Sequence, residues 1–144
     1  MAFSPSRKVL AASLALVAAV SGTKLLAHGD VTPQPIDTSK LPEIGSEWLK
    51  HNTYRGNAVA AKIGESAYAQ NCARCHGLQA ISGGIAPDLR YLEVGDPGDE
   101  WFIERYQHGS SRDGKVYMPP FGEVLGQKGG WAIRSYLETV HSDD

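Results

Sequence analysis

Residues 72–76 read Cys72-Ala73-Arg74-Cys75-His76, and the rest of the chain is read around them. Two thiols separated by two residues, with an imidazole directly after, have the spacing to form thioethers to both vinyl groups of a haem while the imidazole ligates its iron. Competing chemistries lack partners. A zinc site needs a second pair of ligands, yet both cysteines of the chain stand in this segment, so His51, His108 or His141 would have to be recruited at unpatterned spacings. A thioredoxin-like redox pair belongs in a βαβ setting, and the flanks here read as helix. A disulfide closing so short a loop is strained. Haem c, one per chain and covalently attached, is therefore the expected cofactor.

If His76 ligates the iron from one side, the other face needs a second ligand or stays open. Met118 is the only methionine besides Met1. It stands in Tyr117-Met118-Pro119-Pro120-Phe121, where the prolines stiffen the loop and Pro119 biases Met118 to extended backbone. A lone methionine is ordinarily core filler. Here it sits among polar and glycine residues, placed to hold a thioether at a fixed height, and Met118 is read as the axial ligand opposite His76. His108 is the competitor, but it falls at the end of a predicted helix, where an imidazole favourably meets the helix dipole. His51 and His141 read as solvated surface residues.

The chain has 144 residues, enough for one domain of ordinary size. Asn57 is a suitable N-cap, and Val59, Ala60, Ile63, Ala67, Tyr68 and Asn71 follow at helical spacing, so a helix runs up to Cys72. Gly64 is anomalous inside it and points to a close backbone approach. Asp96-Pro97 predicts a second helix, with Asp96 as cap, Pro97 at the first position and Gly109 as the stop. Trp131, Ile133, Tyr136, Leu137 and Val140 make the apolar stripe of a third helix over 130–140. No strand run of comparable strength stands out. The fold is thus expected to be mainly α, three main helices and long loops around the haem. The connections 77–92 and 109–127 are too long for a compact bundle unless something fills the space between them, and a cofactor would.

Ahead of this domain, assigned to residues 57–144, the chain falls into two parts. Residues 1–27 carry Arg7 and Lys8, a twelve-residue run over 9–20 broken only by Ser13, and Leu25-Leu26-Ala27 at the end, the pattern of a cleaved Sec-type signal peptide. The run is short for a membrane span of about 20 residues. Losing Arg7, Lys8 and Lys24 with no acid takes the net charge from −2 to −5 on 117 residues. No basic patch of a nucleic-acid-binding kind is present. Residues 28–56, with Pro33, Pro35 and Pro42, form an extended N-terminal arm. Either it wraps the domain through Ile36, Leu41, Ile44, Trp48 and Leu49, or it is a partly disordered leader.

Over roughly 57–140 these motifs, in the order Cys72-Ala73-Arg74-Cys75-His76, Ala86-Pro87-Asp88-Leu89 and Met118-Pro119-Pro120-Phe121, resemble the monohaem class I c-type cytochromes. The resemblance implies that the first and last helices cross through Gly64 and Tyr68 on one and Ile133 and Tyr136 on the other. It implies further that the Pro87 carbonyl accepts the second ring N–H of His76. With its arm, the chain most resembles the PedF-like soluble periplasmic cytochromes, which accept electrons from PQQ-dependent alcohol dehydrogenases. The implied function is one-electron transfer by a monomeric carrier that is not an enzyme, passing electrons to a downstream cytochrome or terminal oxidase. With both axial positions filled, a thioether opposite imidazole raises the potential. Two other classes remain: a peroxidase or gas-binding protein with an open distal site, and a permanently bound cytochrome subunit of a dehydrogenase.

Overall fold

The computed structural model describes residues 32–144, so the leader expected over 1–27 and the start of the arm lie outside the described residues. Four helices and one small hairpin follow the arm: α1 (Ala58–Asn71), α2 (Ala73–His76), α3 (Asp96–His108), β1 (Ser110–Arg112), β2 (Lys115–Met118) and α4 (Gly122–Thr139). Two 3-10 turns, Leu78–Ala80 and Leu89–Tyr91, lie in the connection between α2 and α3. The expectation of a mainly helical fold holds.

Asn57 caps α1, its side chain accepting from the amides of Val59 and Ala60. The buried face of α1 is Ala60, Gly64, Ala67, Tyr68 and Asn71, and it packs on α4. A Cβ on Gly64 would overlap the carbonyl of Ala132, so the two backbones touch there. One turn on, the rings of Tyr68 and Tyr136 meet at 5.3 Å between centroids. The crossing residues implied by resemblance do cross.

Two boundaries and one element differ from the sequence reading. Gly95, not Asp96, is the N-cap of α3; its φ of 95° suits glycine, and the Asp96 carboxylate lies 3.2 Å from the His51 ring instead. The last helix starts earlier than 130, but it is broken at Gly126 (φ 65°), so residues 122–125 form a separate turn that leads into the regular helix. A hairpin is present where no strand run stands out in the sequence. Its signal was Asp113-Gly114, both with positive φ, closing a two-residue turn between Arg112 and Lys115. Its residues are exposed up to Met118, so no alternation of apolar residues marked the strands.

The arm wraps the domain. Leu41 and Tyr54 are fully buried, while Ile36, Ile44 and Leu49 are half-buried against the core. Trp48 stays partly exposed, edge-on to Tyr106. With few amide partners of its own, the arm is pinned by side chains of the helices. Gln127 Oε1 accepts from Leu49 N at 3.1 Å, and Gln127 Nε2 donates to the carbonyls of Gly45 and Glu47 at 2.8 Å each. Asn52 donates from its backbone to Asp99 at 2.8 Å and from its amide to Ser135 at 3.0 Å.

Asp99 is the junction of arm, α3 and α4. It is wholly buried, pairs with Arg134 at 2.8 Å and with Arg55 at 2.5 Å, and Arg134 is itself only 1% exposed. Gly98 leaves the room this needs, since a Cβ there would crowd the Arg134 guanidinium and overlap the Glu93 carbonyl. Removing one member of such a buried pair strands the other charge, which costs about 3–5 kcal/mol. Asp99→Ala should therefore lower unfolding free energy in urea by about that amount. Ser135→Ala, which removes one neutral contact of the same arm, should cost about 1 kcal/mol.

Candidate haem site

The Cys72 backbone remains helical (φ −114°, ψ −36°), so α1 runs almost directly into the single turn α2. The amides of Cys75 and His76 both reach the Cys72 carbonyl, at 3.1 and 3.0 Å. Positions separated by three and four share one face of a helix, so Cys72, Cys75 and His76 are presented together. Both cysteines are free and half-buried. Burial and, secondarily, the neighbouring Cys75 push the Cys72 thiol up to about 12. Gly77 ends the turn at φ 79°, and a Cβ there would overlap the Ile81 carbonyl. Tyr68 donates to the Gly77 carbonyl at 2.8 Å, tying the end of the attachment turn back to α1. Burial raises that phenol well above its ordinary range, so it stays a donor.

His76 is buried, and its Nδ1 lies 2.8 Å from the Pro87 carbonyl oxygen. A carbonyl can only accept, so Nδ1 carries the proton and Nε2 is left with a lone pair for a metal. The loop carrying Pro87 is held by Asp88, whose carboxylate accepts from Arg90 Nε at 3.0 Å, Arg90 Nη2 at 2.9 Å, Arg90 N at 3.1 Å and Ser82 N at 3.2 Å. The Arg90 hydrogen bonds, outweighing partial desolvation, lower the Asp88 carboxyl to about 2.

Met118 is the last residue of β2 rather than part of an open loop. Its side chain is half-buried and packs on the core, unlike the exposed Val116 and Tyr117 before it. The Met118–Pro119 backbone lies against Gly109, where a Cβ would overlap the Met118 carbonyl. Among the other histidines, His108 is exposed at the end of α3 near Glu104, and His51 faces Asp96. His141 departs from the surface reading: its side chain is only 23% exposed, with Nε2 2.9 Å from Asp143. His51, Asp96 and Asp99 cluster closely enough to suggest a cation site, but Asp99 is already neutralised by two arginines.

The donor set fits haem c: two free thiols and an imidazole on one helical face, a carbonyl fixing the imidazole tautomer, and a half-buried thioether. An open groove of about 710 Å³ between α1 and α4 contains none of these residues and is lined by Lys62, Gln79, Arg90 and Tyr136 among others. What sequence reading missed around the site are Asp88 and Arg90 as the brace of the Pro87 loop, and Asn71. Asn71, on the buried face of α1, bonds to the arm.

The Asp88 brace sets a pH dependence. A carboxyl held near 2, against about 3.9 when unfolded, contributes stability above about pH 4 that is lost as pH falls through 2. Protection against exchange at the Ser82 and Arg90 amides, relative to the intrinsic rate at each pH, should fall across that window. In Asp88→Asn, exchange at both amides should be fast already at neutral pH and show no step there.

Residues 59–137 match the family model described as cytochrome c oxidase, cbb3-type, subunit III. The chain is 56% identical over 140 residues to a cytochrome c550 of Pseudomonas aeruginosa, covering 94% of this chain and 97% of that one. It is 30% identical over 105 residues to the quinohaemoprotein alcohol dehydrogenase ADH-IIG of Pseudomonas putida, 73% of this chain but 12% of the enzyme's length. In fold it is similar to cytochrome cL of Methylophaga aminisulfidivorans, with a TM-score of 0.52 at 21% identity, covering 70% of this chain and 71% of that one. Among the described residues no helix is long and apolar enough to cross a membrane. With haem c as the group its family carries, and electron transfer rather than bond-making as its work, the chain belongs to the class I c-type cytochromes.

Proposed function

We propose that the protein is a monomeric periplasmic carrier, exported behind a leader cleaved near residue 27, that takes single electrons from a PQQ-dependent alcohol dehydrogenase and passes them to a downstream cytochrome or terminal oxidase. In this reading one haem c is held through Cys72 and Cys75 and ligated by His76 and Met118. The observation that supports it is the His76 ring, whose Nδ1 bonds to the Pro87 carbonyl and leaves Nε2 free to ligate iron. The similarity to part of a quinohaemoprotein alcohol dehydrogenase supports a donor of that class.

Haem c, when bound, supplies the ferric/ferrous couple. The protein's part is to hold it and to limit its exposure. Pro87 keeps the imidazole basic and oriented, and Met118 would supply the second ligand, so that oxygen or peroxide would have to displace a ligand. Leu78, Ile81 and Ile85 on one connection and Val116 and Tyr117 on the other are strongly exposed apolar side chains. Contacts with a donor or acceptor would be small and short-lived, as electron-transfer encounters are.

The oxidised protein should show a weak sulfur-to-iron absorption band at long wavelength, and Met118→Ala should abolish it. Absence of the band in the parent protein, or rapid carbon monoxide binding to its reduced form, would instead indicate an open distal site. Mixing oxidised protein with a PQQ-dependent alcohol dehydrogenase and an alcohol should reduce the haem at rates comparable to turnover. No reduction would remove that donor, and obligate co-elution with a larger enzyme on gel filtration would replace the free carrier with a bound subunit.

A further inference from the structure

The arm reaches the haem-binding segment at one place. Gln34 N donates to Asn71 Oδ1 at 2.6 Å, and Asn71 Nδ2 donates back to the Gln34 carbonyl at 3.2 Å. Asn71 is buried, its amide also donates to Ala67 O at 3.0 Å within α1, and the next residue is Cys72. Two residues from Gln34, the Ile36 side chain enters the space where α4 has no side chain, 3.0 Å from where a Gly129 Cβ would stand, beside Leu125. Leu125 belongs to the turn that follows Met118-Pro119-Pro120-Phe121, and its amide bonds to the Phe121 carbonyl at 3.0 Å. Residues 34–36 thus span from the residue before the attachment turn to the start of α4, whose first turn is hydrogen-bonded back to Phe121, three residues after Met118.

We propose that the Asn71–Gln34 clasp and Ile36 bind the attachment segment and the Met118 segment to each other, making Asn71 a positioning residue that keeps the Met118 thioether on the iron. This rests on His76/Met118 ligation. An axial thioether is a weak ligand to ferric iron, held mainly because its loop cannot swing away; a strap across the two segments raises the cost of that swing. The clasp suits this task because it is made of backbone groups of the arm and an asparagine amide, so it carries no charge and works at any pH at which the protein is folded. Its two bonds also fix register: a slip of one residue would put Pro35, which has no amide hydrogen, where Gln34 N donates.

The experiment uses the mature holoprotein and follows two properties of Met118. One is the pH at which the sulfur-to-iron band disappears on alkaline titration; the other is the rate of carbon monoxide binding to the reduced form. Asn71→Ala should bring the midpoint down by about one pH unit and speed carbon monoxide binding about tenfold, the equivalent of one net hydrogen bond. Asn71→Asp, which retains the acceptor for Gln34 N but not the donor, should fall between. Ile36→Ala, a change in the arm that leaves α1 untouched, should move both readouts in the same direction and serves if Asn71→Ala fails to fold. Ser135→Ala, which loosens the arm at Asn52 on another part of α4, controls for general destabilisation and should leave both readouts in place. The proposal is overturned if Asn71→Ala and Ile36→Ala lower the melting temperature as Ser135→Ala does without moving either readout. A parent protein lacking the band would overturn the ligation reading itself, and so is told apart from failure of the clasp.

Discussion

The contact between Gly64 and the Ala132 carbonyl is the constraint on which the rest of the structure depends. Two helices can approach to backbone contact only where one lacks a side chain, and the approach fixes where each helix lies along the other. With Gly64 in place, Tyr68 one turn later meets Tyr136, and its hydroxyl arrives at the Gly77 carbonyl. The crossing thereby reaches the far end of the attachment turn. Since α1 runs through Cys72 into α2 with scarcely a break, the depth and direction of Cys72, Cys75 and His76 follow from a contact two turns upstream. An alanine at Gly64 would force the helices apart, and the error would propagate along a rigid rod to the donor atoms.

A second network holds the side of α4 away from that crossing. Buried ion pairs are poor sources of net stability, because desolvation consumes most of the attraction. What Asp99 gains here is specificity. It accepts from Arg134 on α4, Arg55 at the end of the arm and the Asn52 amide, and Arg134 in turn donates to the Glu93 carbonyl just before α3. One carboxylate therefore ties together three segments distant in sequence. The same logic governs Gln127 and Asn71 along the arm: where proline and short apolar spacing preclude regular structure, single polar side chains satisfy the strand of unpaired backbone groups.

The parts legible in the sequence were those whose signal is local or compositional. Cys72 to His76 is one helical turn, Asn57 caps the residues beside it, and Gly64 is conspicuous because glycine is costly in a helix. Residues that act across long separations left no such mark. Asp99 looked like an ordinary acid in the first turn of a helix, and Asn71 like one polar residue on a helix face; their partners lie 35 and 37 residues away. The hairpin was hidden for another reason. Strands are recognised by alternation against a core, and this pair has no core to face, so Asp113-Gly114 alone betrayed it.

That same lack of a core determines how Met118 is placed. An exposed two-stranded ribbon is marginally stable by itself and cannot fix the position of the side chain at its end. The register supports this: Ser110 pairs with Met118 and Ser111 with Val116, leaving Tyr117 as an extra residue that interrupts the ladder just before the methionine. The position must be set at the base instead. Gly109 has a φ of 69° and presses directly on the Met118–Pro119 backbone, while Phe121 N donates to the Tyr106 carbonyl at 2.9 Å. Both contacts belong to the C-terminal end of α3, with the stiff Pro119-Pro120 pair between them. Met118 is thus carried by the end of a helix, and the hairpin is a solvent-facing excursion that leaves α3 and returns to it. Changes at the tip can alter the exposed surface without moving the thioether, whereas any side chain at Gly109 would displace it.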